Sequence, residues 1–262
     1  MYLKSFLRSL APIAAIAMAA LASGGCDAMH VTIDGEDGEK LADLDLTGDP
    51  PSKLMLAGPD TVHIAQGDKL AISVAGDPSV AEQMRFTLKH GTLAILRRKQ
   101  MGSTDETVTV NVTMPAPSKL SLAGSGKIIA SALARDSARI AIAGSGSVET
   151  GGVAIDTLKV EIAGSGSYHA AGTAKTLKLQ IAGSGRAQLE ALKIDEANIQ
   201  IAGSGNAAFA SDGTVKAKIM GSGEVRVIGR ATCKVTAMGS GKLICEPAAS
   251  ADMKPKGDKP TA

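Results

Sequence analysis

Lys119-Leu120-Ser121-Leu122-Ala123-Gly124-Ser125-Gly126 is followed by Arg139-Ile140-Ala141-Ile142-Ala143-Gly144-Ser145-Gly146, and then by Lys159-Val160-Glu161-Ile162-Ala163-Gly164-Ser165-Gly166. The closing Gly-Ser-Gly recurs seven times, with serines at Ser125, Ser145, Ser165, Ser184, Ser204, Ser222 and Ser240. Their spacings of 20, 20, 19, 20, 18 and 18 residues mark a solenoid, whose units are too small to bury a face alone and stack on one another. Apolar residues alternate with polar ones before each turn, which is the period of a strand. The predicted fold is all-β: a parallel right-handed β-helix (β-solenoid) with about seven Gly-Ser-Gly coils and an N-terminal β cap region. The hand follows the strong preference of parallel crossovers.

Aligning the copies on their first glycine assigns side chains to faces. Four residues before it stand Leu120, Ile140, Val160, Leu179, Ile199, Ala217 and Val235, and two before it Leu122, Ile142, Ile162, Ile181, Ile201, Ile219 and Ala237. Beyond the turn, Ile128, Val148, Tyr168, Ala187, Ala207, Val225 and Leu243 continue the lining. The interior is therefore aliphatic. The glycines supply backbone angles that a Cβ makes costly, and the serines are expected to form a structural turn ladder, bonding to backbone and to each other. No base recurs beside them, so nucleophilic catalysis has no support, and no helix or lysine follows to complete a phosphate loop.

The outward positions carry more chemistry. Five residues before the first glycine come Lys119, Arg139, Lys159, Lys178, Asn198, Lys216 and Lys234, so six of seven are basic. Coils stacked at roughly 4.8 Å would turn this column into a stripe on the order of 30 Å long. Such a stripe suits an anionic polysaccharide or envelope surface. The simpler alternative is that long basic stems cover apolar strand and keep the face soluble. Asp136, Asp156 and Asp195 lie three residues before Arg139, Lys159 and Asn198 and are expected to pair with them locally.

Residues 1–25 read as an export signal: Lys4 and Arg8 precede an apolar run that ends in small residues before Cys26. Cys26 is placed for lipidation, which would leave the chain anchored in the periplasm or outer membrane; cleavage near Ala22 would instead release a soluble protein. Without the leader's Lys4 and Arg8 the chain holds 26 basic and 26 acidic residues, a balance that argues against nucleic acid as a partner. Residues 26–49 form an acidic flexible tether, 50–117 the N-terminal β region, 118–246 the solenoid repeats and 247–262 a disordered tail. The N-terminal region is read as strands over 53–56, 61–65, 70–75, 85–88, 92–97 and 107–114, with one helical turn near 79–84.

The run Val62-His63-Ile64-Ala65-Gln66-Gly67, then Leu93-Ala94-Ile95-Leu96, Val112-Thr113-Met114-Pro115 and the first Gly-Ser-Gly phrase resembles the bacterial head GIN domain family over about residues 50–246. The resemblance implies a β-helical fold, an exported adhesin head and no established catalytic residues.

Three cysteines leave Cys233 and Cys245 as a possible disulfide if Cys26 carries lipid; both point into the same coil. No metal or cofactor is implied. With no Trp, and with Tyr168 and Phe209 directed inward, the aromatic platforms that neutral glycans favour are missing. The expected function is a noncatalytic, exported, adhesin-like module of the cell envelope. A polysaccharide lyase or hydrolase built on Asp136 and Asp156, and a structural envelope spacer, are the alternatives.

Overall fold

The computed structural model describes residues 38–98 and 106–247. They form a β-solenoid of about six turns, close to the expected seven. The strands are β1 (Lys53–Ala57), β2 (Thr61–Gln66), β3 (Ala71–Ala75), β4 (Met84–Lys89), β5 (Thr92–Arg97), β6 (Thr109–Met114), β7 (Lys119–Gly124), β8 (Lys127–Ala130), β9 (Ser137–Gly144), β10 (Ser147–Gly164), β11 (Ser167–Gly183), β12 (Arg186–Gly203), β13 (Asn206–Gly221), β14 (Glu224–Ile228), β15 (Thr232–Met238) and β16 (Lys242–Glu246). One wall runs β5-β1-β7-β9-β10-β11-β12-β13-β15 and the other β6-β2-β8-β10-β11-β12-β13-β14-β16, all parallel. Strands β10 to β13 belong to both walls because each continues around the coil.

Coil order departs from chain order at the N-terminal end. The first coil, β1 and β2, lies inside the stack, between β5 and β6 on one side and β7 and β8 on the other. The chain therefore winds one coil, turns outward to build a capping layer, and crosses back to start the repeats. Ser118 marks the crossing: its N–H and hydroxyl both donate to the Ser52 carbonyl, at 2.8 and 3.0 Å. In the cap, β4 is antiparallel to β5 and β3 to β6, so the parallel ladders end on strands that extend no further. The expected helical turn is α1 (Pro78–Ala81), whose cap Asp77 accepts from Ser79 N–H at 2.8 Å. The tether expected over 26–49 begins outside the described residues, as do the leader and Cys26. Its last part is docked: Glu39 bridges to Phe86, and Leu41 and Leu44 pack on the core.

At each bend the first glycine adopts a left-handed φ, from +113° at Gly164 to +123° at Gly221. Neighbouring bends are in direct backbone contact: a Cβ added at Gly183 would lie 2.5 Å from the Gly164 carbonyl oxygen. The following serine N–H donates to the glycine carbonyl one coil back, as from Ser165 to Gly144 and from Ser204 to Gly183, both at 2.9 Å. The ladder expected of the serine hydroxyls is therefore a backbone ladder. All seven serines are exposed and their hydroxyls make no hydrogen bond among the described residues.

Inside, the aliphatic columns are buried from Leu120 to Ile219, together with Tyr168 and Phe209. The Tyr168 hydroxyl is paired with Thr150 Oγ1 at 2.7 Å. The last coil departs from the expected pattern: Val235 and Ala237 are exposed and Leu243 is half-buried. They keep the inward phase, but the described residues place no further coil upon them. Cys233 on β15 and Cys245 on β16 are disulfide-bonded across this open end, with Cα atoms 6.8 Å apart.

Two outcomes test this arrangement. Gly183→Ala adds both a left-handed strain and a backbone clash, and should lower unfolding stability by about 3 kcal/mol in denaturant titration. Reducing the Cys233–Cys245 bond should release about 3 kcal/mol of chain constraint, seen as lost hydrogen-exchange protection in residues 232–246 while residues 137–203 stay protected.

Candidate functional site

Strand pairing places the predicted basic residues in one column. Lys119, Arg139, Lys159, Lys178, Asn198, Lys216 and Lys234 are successive register partners across the first wall. The column is longer than expected, because Lys53 on β1 is the register partner of Lys119. Lys53 went unassigned because its coil closes on Gly58-Pro59-Asp60 in place of Gly-Ser-Gly. That corner nonetheless stacks on the next one: Gly126 N–H donates to Gly58 O at 3.0 Å and Lys127 N–H to Asp60 O at 2.9 Å.

Two residues further along each strand, side chains return to the same face, and here the coils differ. The positions are Ser121, Ala141, Glu161, Gln180, Gln200, Lys218 and Thr236. Small side chains at Ser121 and Ala141 leave a shallow groove, walled by Met55, Lys119 and Arg139 and ended by Glu161. Glu161 is fully buried beneath its cations: Arg139 Nη2 lies 2.5 Å from Oε2 and Lys159 Nζ 2.9 Å from Oε1. Burial, then the charges of Arg139 and Lys53, hold the Lys119 ammonium below the usual lysine range, with Glu161 acting in the opposite sense.

Sequence reasoning missed Glu161, since one acidic residue among seven otherwise uncharged or basic equivalents gives no periodic signal. It also mispaired the aspartates. Asp156 pairs with Lys175 of the next coil at 2.7 Å, and no ion pair joins Asp136 to Arg139 or Asp156 to Lys159 among the described residues. Asp136 and Asp156 do lie on adjacent coils, where Thr157 N–H donates to the Asp136 carbonyl at 3.1 Å.

A parallel solenoid capped at one end, stapled at the other and bearing a column of cations on one wall is a repeat-built surface-presenting scaffold. Residues 50–231 match the family model described as "Putative auto-transporter adhesin, head GIN domain", and the chain belongs to that family. Membership implies an exported, envelope-associated protein. The fold is shared with a putative adhesin from Bacteroides fragilis at TM-score 0.66 and 18% identity, over 76% of this chain and 93% of that one. A putative lipid binding protein from Parabacteroides distasonis aligns at 0.61 and 21%, over 75% and 93%. A putative adhesin from Parabacteroides merdae aligns at 0.59 and 20%, over 77% and 93%. No curated protein matches the sequence.

Glu161→Gln keeps the shape of the side chain but leaves Arg139 and Lys159 without their anion. It should lower stability by about 2 kcal/mol, measured by chemical unfolding, and the more conservative Lys159→Arg should not.

Proposed function

We propose that this protein is a noncatalytic, adhesin-like binding module of the cell envelope that holds an anionic polysaccharide along the first wall. The observation that carries the reading is the in-register column of Lys53, Lys119, Arg139, Lys159, Lys178, Lys216 and Lys234, beside a groove floored by Ser121 and Ala141. A flexible polymer with regularly spaced charges can meet such a column at several points, so modest contacts add through effective concentration. Shared family and fold favour an adhesin over an enzyme. Acylation at Cys26 would hold the module at a membrane, and mass analysis of the mature amino terminus reads this directly.

Immobilised polygalacturonate is a suitable probe. The triple variant Lys119→Glu, Lys178→Glu, Lys216→Glu should lose at least about tenfold in retention at low salt, whereas Arg186→Glu on the other wall should not. Equal retention of parent and triple variant would reject the column as the site. Release of new reducing ends would favour the lyase or hydrolase, and a parent that is not retained would favour the spacer.

A further inference from the structure

The two ends of the stack are finished differently. At the first, the antiparallel strands β3 and β4 and the docked segment around Glu39 cover the final coil. At the other, β15 and β16 present a strand edge over which the described residues place nothing. Val235 there is 46% exposed and Met238 66%, the largest such values among the large hydrophobics of the described residues. An unpaired edge with open core behind it is a template for another chain, and natural folds usually blunt such edges. This one is stiffened instead, because the Cys233–Cys245 bond ties β15 to β16 across the opening.

The sequence of β16 says which chain fits. Lys242 N–H donates to Gly223 O at 3.0 Å and Glu246 O accepts from Gly229 N–H at 2.8 Å, so Lys242, Ile244 and Glu246 turn their backbone groups toward β14. By alternation, Leu243 and Cys245 point theirs out of the end. Lys242-Leu243-Ile244-Cys245-Glu246 is complementary to itself when reversed. An antiparallel copy centred on Ile244 sets Lys242 opposite Glu246 and Leu243 opposite Cys245. Opposed residues whose backbone groups face one another exchange two hydrogen bonds, so the two Leu243–Cys245 pairs would make four. Lys242 and Glu246 have no ion-pair partner within the chain among the described residues.

We infer that a second copy of this chain docks on the open end, pairing β16 with its counterpart about a two-fold axis through Ile244. The interface is isologous, so it closes at two copies and does not propagate into a fibre. An axis crossing both walls also lays β15 antiparallel to its own copy and brings the Val235 end of each core against the other. The two first walls then share one face of the dimer, with their cation columns antiparallel and offset from one another along the strand direction.

Sedimentation equilibrium of the full mature chain in density-matched detergent tests this, with circular dichroism to verify folding of each variant. The parent should show twice the chain mass. Glu246→Lys sets like charges opposite one another twice and should weaken the dimer by roughly tenfold, while adding Lys242→Glu should restore it. Leu243→Pro removes an edge N–H unused within the chain and should abolish dimerisation without unfolding the coil. A parent that stays monomeric at its highest soluble concentration overturns the proposal, as does failure of the charge swap to rescue. If dimers form only after residues 248–262 are removed, that segment and not a second copy is the occupant.

Discussion

Backbone stacked on backbone at the bends is the constraint on which this molecule depends. From Gly144 to Gly221, each bend glycine lies so close to the carbonyl of the bend below that a side chain there has no space, and the serine amide is bonded to that same carbonyl. Once bends coincide, strand residues coincide too. Alternation then sends every second residue inward, so aliphatic columns and cation columns are two results of a single register. The chain needs few aromatic residues because each coil borrows its core from two neighbours and not from within itself.

A one-dimensional stack must still finish somewhere, and its two ends show different solutions. The N-terminal end adds two short strands that reverse direction, β3 on β6 and β4 on β5. Asp60 pins this layer: it is buried, accepts from Arg97 Nε and Val108 N–H at 3.0 Å each, and joins the bend of the first coil to the cap. The C-terminal end uses a covalent link in place of a layer. A disulfide limits how far the final coil can open without covering its edge, which leaves that edge ordered and free to pair.

Much of the fold was legible in the sequence because the repeat is written into glycine positions, where chemistry allows little substitution. The inward assignment succeeded from Leu120 to Ile219 for that reason. It failed at Val235 and Ala237 because phase says where a side chain points, whereas burial needs another coil beyond it. The first coil escaped notice because Pro59 and Asp60 replace serine and glycine, although Lys53-Leu54-Met55-Leu56-Ala57-Gly58 matches Lys119-Leu120-Ser121-Leu122-Ala123-Gly124 at five of six positions. Its placement between later strands was not legible at all, since a chain that crosses back over its own first coil has no periodic signature. The Arg139–Glu161 pair was hidden for a related reason: its partners are 22 residues apart and meet only through stacking.

The column of cations is harder to explain as mere solubility than the sequence alone suggested. Two unit charges roughly 5 Å apart repel by about 0.8 kcal/mol even in water, a cost that Asn198 interrupts between Lys178 and Lys216. A face that needed only to stay wet could mix its signs, as the second wall does in Lys127, Ser147, Ser167, Arg186, Asn206 and Glu224. On the first wall Glu161 sits under Arg139 and Lys159 and offsets their repulsion, while burial first, and then the charges of Arg139 and Lys53, disfavour the charge on Lys119. Beside these cations the small side chains of Ser121 and Ala141 floor a shallow groove, so the same register that aligns the charges also aligns the space next to them.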